Sequence, residues 1–152
     1  MSRLIFFAVV GVLVVASYRS WLDEPSAPQA VDPRLEAAVQ GWRHDMERTD
    51  LIWQARFERI ESISIERLPQ SKAGCYDHWS HRISLSPEQL VAGPYSTRAT
   101  IYHELGHAVF LLKHSSCKLM GPAEEESYYR EHWAELVSEY IIAANNKSNF
   151  TP

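Results

Sequence analysis

The residues with the clearest chemical potential are His103 and His107, which stand four positions apart with Glu104 directly after the first. Because an α-helix turns by about 100° per residue, side chains at this spacing project from the same face. Two imidazoles on one helix face can bind a single zinc ion, and a glutamate beside them can reach a water molecule at that ion. The spacing therefore predicts two metal ligands and a general base, Glu104.

The residues around this motif predict the helix that carries it. The helix is expected to begin at Ser96 or Thr97, with either hydroxyl as its cap, and to end near Leu112. An apolar stripe lies nearly opposite the two histidines. Its members are Ile101, Leu105, Ala108, Val109 and Leu112. We therefore expect the stripe to face the core and the histidines to face a cleft.

A catalytic zinc site needs a third protein ligand as well as an open coordination position. The candidates are later residues with a nitrogen or oxygen ligand: His114, Glu131 and Glu135. On a continued helix His114 would lie about 16 Å from His103 along the axis. His114 can therefore share the ion only if the helix ends between Phe110 and Lys113, where no glycine or proline stands. Either glutamate would come from the following helix.

The segment from Tyr102 to Met120 resembles the metzincin clan of zinc peptidases. In that clan a third histidine is followed by a turn whose methionine lies beneath the metal, and His114 and Met120 match those roles. The spacing to His114 is one residue longer than usual, and Phe110 stands where a glycine is expected. Small exported bacterial zincins are similar in this longer spacing. The resemblance implies Zn2+ as the cofactor, His114 as the third ligand and a peptide or protein substrate.

The same resemblance implies how a substrate would bind. In related zincins a sheet-edge strand before the active-site helix pairs with an extended substrate, and one segment of this chain is similar in placement. Its residues are Arg82, Ile83, Ser84, Leu85 and Ser86. The implied activity is peptide-bond hydrolysis, by an endopeptidase rather than an exopeptidase. Two alternatives remain open: a gluzincin-type site completed by Glu131 or Glu135, and a non-catalytic zinc-binding module on a zincin scaffold.

The hydrophobic periodicity predicts an α+β domain over residues 34–152. The expected elements are helices over 34–60 with a break at 49–50, strands at 63–65 and 82–86, a loop at 70–74, the histidine helix, and a final helix at 123–144. The resemblance implies a small zincin-like fold with a short mixed sheet, a methionine turn and a C-terminal helix. Three glutamates in the first turn of the final helix are expected to be solvated: Glu124, Glu125 and Glu126. Tyr128 and Tyr129 are expected to pack.

The N-terminal residues predict export. In residues 1–22, Arg3 precedes an apolar run from Leu4 to Ala16, which is typical of a signal peptide or a membrane anchor. Either would place the domain in the periplasm or outside the cell, and an uncleaved segment would attach it to the membrane through residues 4–21. Residues 23–33 contain three prolines and predict an extended linker.

The two cysteines and the net charge predict further properties of the chain. In an exported protein Cys75 and Cys117 are expected to form a disulfide, with two unpaired buried thiols as the alternative. The net charge of −4 and the absence of a basic surplus exclude nucleic acid as an expected partner. A cluster of Asp77, His78 and His81 could bind metal, but it is expected to form a loop near the cleft.

Overall fold

A computed structural model describes residues 30–69 and 72–148. Within those ranges the helices are α1 (Glu36–Glu47), α2 (Gln54–Phe57), α3 (Pro87–Ala92), α4 (Pro94–Phe110) and α5 (Glu126–Ser148). The strands are β1 (Ala30–Val31), β2 (Ser62–Ile65), β3 (Gly74–Asp77) and β4 (Arg82–Leu85). None of the helices in these ranges is long and apolar enough to cross a membrane. The predicted signal or anchor and residues 23–29 of the predicted linker lie outside the described residues.

The strands form one mixed sheet in the order β1-β2-β4-β3. β1, β2 and β4 are parallel, whereas β3 runs antiparallel to β4. Five helices with this sheet confirm the α+β class. The prediction that Arg82–Ser86 forms an edge strand is wrong, because β4 pairs with β2 on one side and with β3 on the other. Ser86 has already left the strand and immediately precedes α3.

The edge strand beside the histidine helix is β3, which was not predicted: Gly74 belonged to the predicted loop at 70–74, and Asp77 to a cluster expected in a loop. Its register with β4 runs from Gly74 opposite Leu85 to Asp77 opposite Arg82. In the described part of the chain no strand pairs with its other side. β3 packs directly against α4. The sheet edge that borders the histidines is therefore β3 rather than β4.

Helix α4 is the centre of the domain and packs against α1, α5 and the sheet. The apolar stripe predicted from the sequence is buried, and Ile101 and Leu105 have no exposed surface. Each such side chain contributes about 1.5–3 kcal/mol through removal of apolar surface from water. Burial of Tyr102 and Phe110 on other faces leaves little of α4 in contact with solvent. This packing fixes the orientation of the histidine face.

The N-terminus of α4 is capped by a side chain from α5. The Glu126 carboxylate accepts hydrogen bonds from the amides of Tyr95 and Ser96, at 3.2 and 2.7 Å. Burial favours the neutral form of Glu126, but these amide hydrogen bonds outweigh it and lower the carboxyl pKa. A Cβ at Gly93, where φ is 127°, would lie 2.5 Å from the Glu126 carboxyl carbon. Glu126 is therefore a long-range cap, which corrects both its predicted solvation and the predicted cap at Ser96 or Thr97.

Candidate metal centre

Helix α4 presents His103 and His107 to a cleft, and backbone carbonyls hold both rings. Nδ1 of His103 lies 2.9 Å from the carbonyl oxygen of Leu119, and Nδ1 of His107 lies 2.8 Å from that of Leu112. A carbonyl oxygen can only accept a hydrogen bond, so Nδ1 of each ring donates and carries a proton. In a neutral imidazole the other nitrogen, Nε2, then has a free lone pair. Both lone pairs are available to a metal ion.

The helix ends in a way that brings His114 back to the other two histidines. α4 stops at Phe110, and Leu111 takes the left-handed conformation with φ of 55°. The amide of Leu112 donates to the carbonyl of Gly106 over 3.0 Å, which closes the turn. Left-handed residues at helix C-termini are usually glycine, because the Cβ of any other residue comes too close to the following carbonyl oxygen. A leucine here therefore performs the chain reversal that His114 needs.

The conformation of Leu111 leads to a stability prediction. Leu111→Gly is expected to raise the free energy of unfolding by up to about 1 kcal/mol, because relief of about 1–2 kcal/mol of left-handed strain exceeds the entropic cost of glycine. Leu111 is 47% exposed, so little packing is lost. Urea unfolding in the presence of a chelator measures the change without a contribution from bound metal. Leu111→Ala keeps the Cβ and should show no gain; equal stability of the two variants would contradict the prediction.

The structure brings together His103, His107 and His114. Nε2 of His107 lies 3.2 Å from Nε2 of His103 and 3.2 Å from Nε2 of His114. Ligand atoms of all three lie within 4.8 Å of one another, and this is the group among the described residues that could hold a metal ion. Glu131 and Glu135 are exposed residues of α5 and are not part of it.

The two 3.2 Å distances fit the ligand spacing of a tetrahedral zinc site. With zinc–nitrogen bonds of about 2.0–2.1 Å, the nitrogens of a tetrahedral site lie about 3.3 Å apart. Burial lowers the pKa of His103 to about 4 and also lowers that of His107, so both rings are neutral near pH 7. Their Nε2 lone pairs then face each other at 3.2 Å, which is unfavourable unless a cation lies between them. The donor set and its protonation therefore suit zinc.

Glu104 is buried in the wall of the same cleft. Glu104 is only 5% exposed, and this burial raises the pKa of its carboxyl group to about 7. The hydrogen bond from the Tyr76 amide and the positive charge of Lys72 lower the pKa by less. A Cβ at Gly74 would lie 2.8 Å from Oε1 of Glu104 and 2.8 Å from the methyl group of Thr100. Only glycine at position 74 leaves room for this carboxylate. Sequence patterns missed that role, since Gly74 was expected in a loop.

Met120 is buried behind the histidine face. A Cβ at Gly106 would lie 2.5 Å from the sulfur of Met120 and 3.2 Å from the ring of Tyr140. Glycine within the motif therefore lets the 3-10 turn at Lys118–Met120 pack closely on α4. The same turn supplies the Leu119 carbonyl that orients His103. Met120 thus contributes by packing, in a turn that also fixes a histidine.

The histidines and Glu104 line a cavity of about 390 Å³, which β3 bounds on one side. The amide of Ser86 donates to the carbonyl of Ala73 over 2.9 Å. In an antiparallel pair, hydrogen-bonded and non-bonded residues alternate, so Gly74 and Tyr76 direct their backbone groups away from β4. The amide of Tyr76 meets Glu104 at this edge. The unpaired edge of β3 thus runs beside the candidate site.

The predicted disulfide is wrong, because Cys75 and Cys117 are separate thiols among the described residues. Cys75 lies on β3 at the cavity wall, whereas Cys117 precedes the 3-10 turn and packs against the core. Burial raises the pKa of Cys117, which reduces its reactivity. Asp77, His78 and His81 lie in or beside the β3–β4 turn, as expected, and do not converge into a ligand group in the described chain.

The tyrosines of α5 pack, as predicted. Tyr128 stacks on His132 with ring centroids 4.4 Å apart, and the hydroxyl of Tyr129 accepts a hydrogen bond from the amide of Glu124. Tyr129 also lines the cavity.

The chain matches no protein-family model, no curated protein and no solved structure.

Proposed function

We propose that this chain is a zinc-dependent peptidase, with His103, His107 and His114 as metal ligands and Glu104 as the general base. The observation that carries the proposal is the convergence of three imidazoles in the cavity that Glu104 lines, with Nε2 of His107 3.2 Å from Nε2 of each of the other two. Three protein ligands leave a fourth position for water or substrate, as in catalytic rather than structural zinc sites. A structural site has no open position for water, so a glutamate beside it would have no water molecule to deprotonate.

The chemistry is divided between the ion and the protein. When bound, zinc supplies a Lewis acid that polarises a carbonyl oxygen and acidifies water. The carboxylate of Glu104 accepts the proton of the attacking water molecule and returns it to the leaving nitrogen. The amide of Tyr76 and the space above Gly74 keep that carboxylate in one position. The Leu112 and Leu119 carbonyls keep two ligand rings oriented for metal.

The substrate class follows from the edge of β3. The backbone groups of Gly74 and the carbonyl of Tyr76 point outward there, whereas the Tyr76 amide meets Glu104. An extended polypeptide can therefore add to the sheet as a further strand through the remaining groups. Main-chain hydrogen bonds of this kind bind any peptide sequence, and a peptide that pairs through its main chain needs no free terminus. This geometry favours cleavage at an internal bond. If the apolar N-terminal run directs export, the domain and its protein or peptide substrate lie outside the cytoplasm.

The proposal is tested by peptide cleavage under control of the metal. The full-length chain is incubated with a mixture of unstructured peptides of about ten residues, and products are identified by mass spectrometry. We expect internal cleavage that a zinc chelator abolishes and that added zinc restores. A zinc-loaded chain that cleaves no peptide would overturn the peptidase proposal and favour a non-catalytic zinc module.

A further inference from the structure

The turn that joins β3 to β4 exposes a tryptophan. Trp79 is 91% exposed, although tryptophan usually buries most of its large apolar surface. Single exposed aliphatic residues are common, and Val91 is an example in this chain. Trp79 differs because its turn is the direct continuation of the edge strand that bounds the cavity. Its position therefore links it to the candidate active site.

Hydrogen bonds hold this turn in one shape. The Asp77 carboxylate accepts a bond from the amide of Trp79 at 2.9 Å and one from the hydroxyl of Ser80 at 2.7 Å. The Tyr76 hydroxyl lies 3.0 Å from Nδ1 of His81, which has a φ of 50°. A turn fixed at both sides presents Trp79 without the entropic cost of ordering a loose loop.

Aromatic rings connect the cavity to the tip of the turn. Tyr76 lines the cavity, the ring of His78 lies 6.3 Å from that of Tyr76, and the ring of Trp79 lies 6.1 Å from that of His78. These three residues are called the aromatic strip. Trp79 lies in the turn beyond the end of β3, and the two ring separations place its ring at most about 12 Å from that of Tyr76. A peptide strand paired with β3 covers that distance with at most about four of its own residues.

We propose that the aromatic strip is a remote substrate subsite, which binds an apolar or aromatic side chain about three to four residues from the bond to be cleaved. The inference deepens the proposed peptidase function and rests on the same peptide path along β3. Tryptophan and tyrosine rings offer large, rigid contact surfaces with few rotatable bonds, which is typical of residues that dominate binding. Peptides too short to reach Trp79 would not use the subsite.

The test separates binding from cleavage by using a zinc-loaded, full-length Glu104→Gln background. Dissociation constants are measured by fluorescence anisotropy for dye-labelled peptides of about four and ten residues, with a phenylalanine or a serine placed along the longer one. Trp79→Ala should raise Kd about tenfold for the long phenylalanine peptide and leave the short peptide unchanged. Trp79→Phe should restore most of the affinity. Val91→Ala, which removes a residue of similar exposure, should have no effect.

The outcomes distinguish this inference from the proposed function. Equal Kd values with and without Trp79 would overturn the subsite, whatever the catalytic activity. If Kd depends on Trp79 in the Glu104→Gln background but the wild-type chain cleaves no peptide, the subsite is supported and the peptidase proposal is overturned. Loss of binding to phosphatidylglycerol-containing vesicles in Trp79→Ala, with unchanged peptide Kd, would assign Trp79 to a membrane surface instead.

Discussion

Replacement of Glu104 by glutamine is expected to lower kcat/KM for peptide hydrolysis by about 10²- to 10⁴-fold, the usual contribution of a general base. Zinc should remain at one ion per chain, because Glu104 is not part of the histidine group. Glutamine has nearly the same shape and can still accept a hydrogen bond from the Tyr76 amide. It therefore fits the space that Gly74 leaves, and the fold should be preserved.

The measurement combines metal analysis, thermal unfolding and kinetics on one preparation. Glu125→Gln is a matched control, because it makes the same chemical change at an exposed residue outside the cavity. Its kcat/KM should equal that of the wild type. Unchanged hydrolysis in Glu104→Gln would show that another group moves the proton, and loss of zinc would show that Glu104 holds the metal.

Replacement of His114 by alanine is expected to weaken zinc binding by more than about 100-fold, since loss of a ligand costs more than loss of a group that only orients one. His114 is exposed and lies outside the core, so the variant should unfold near the wild-type temperature in the metal-free state. Two ligands on α4 would remain, but the tetrahedral set would be incomplete. Hydrolysis should fall with zinc occupancy.

Competition with a chromophoric chelator measures these affinities directly. Glu131→Ala and Glu135→Ala are the informative controls, because a glutamate-completed site would depend on one of them. Both should bind zinc as the wild type does. Full affinity in His114→Ala, together with weak binding in either glutamate variant, would replace the histidine triad with a gluzincin-type arrangement.

The histidine helix was predictable because its signal is local. The spacing of His103 and His107 and the apolar stripe opposite them depend on residues within one helix, and helical periodicity places both faces. The stripe is buried as expected. The position of Glu104 on the cleft wall also follows from its place beside His103. Local geometry alone therefore located the two histidines and the carboxylate.

The chain reversal before His114 was not predictable from residue types. Leu111 adopts a left-handed conformation that sequence patterns assign to glycine, so the helix end had no visible signal. The turn is closed instead by the backbone bond from the Leu112 amide to the Gly106 carbonyl and by the bond that the Leu112 carbonyl accepts from the His107 ring. A resemblance to zincins, rather than residue chemistry, favoured His114.

Strand order and long-range contacts could not be predicted from the sequence either. β3 is short and begins at a glycine, so only its pairing with β4 reveals it as a strand. The interior position of β4 depends on β2 and β3 together. Glu126 caps a helix about thirty residues earlier in the chain, a partner that its own neighbours do not indicate. Each miss depends on packing between elements rather than on local sequence.

The central claim is that zinc held by the three histidines and the general base Glu104 together carry out peptide hydrolysis. The most direct measurement is a titration of the metal-free, full-length chain with zinc, in which bound metal and the rate of peptide cleavage are recorded together. Both should rise in parallel and reach a plateau at one zinc ion per chain. Cleavage that proceeds without zinc, or full zinc binding without any cleavage, would contradict it.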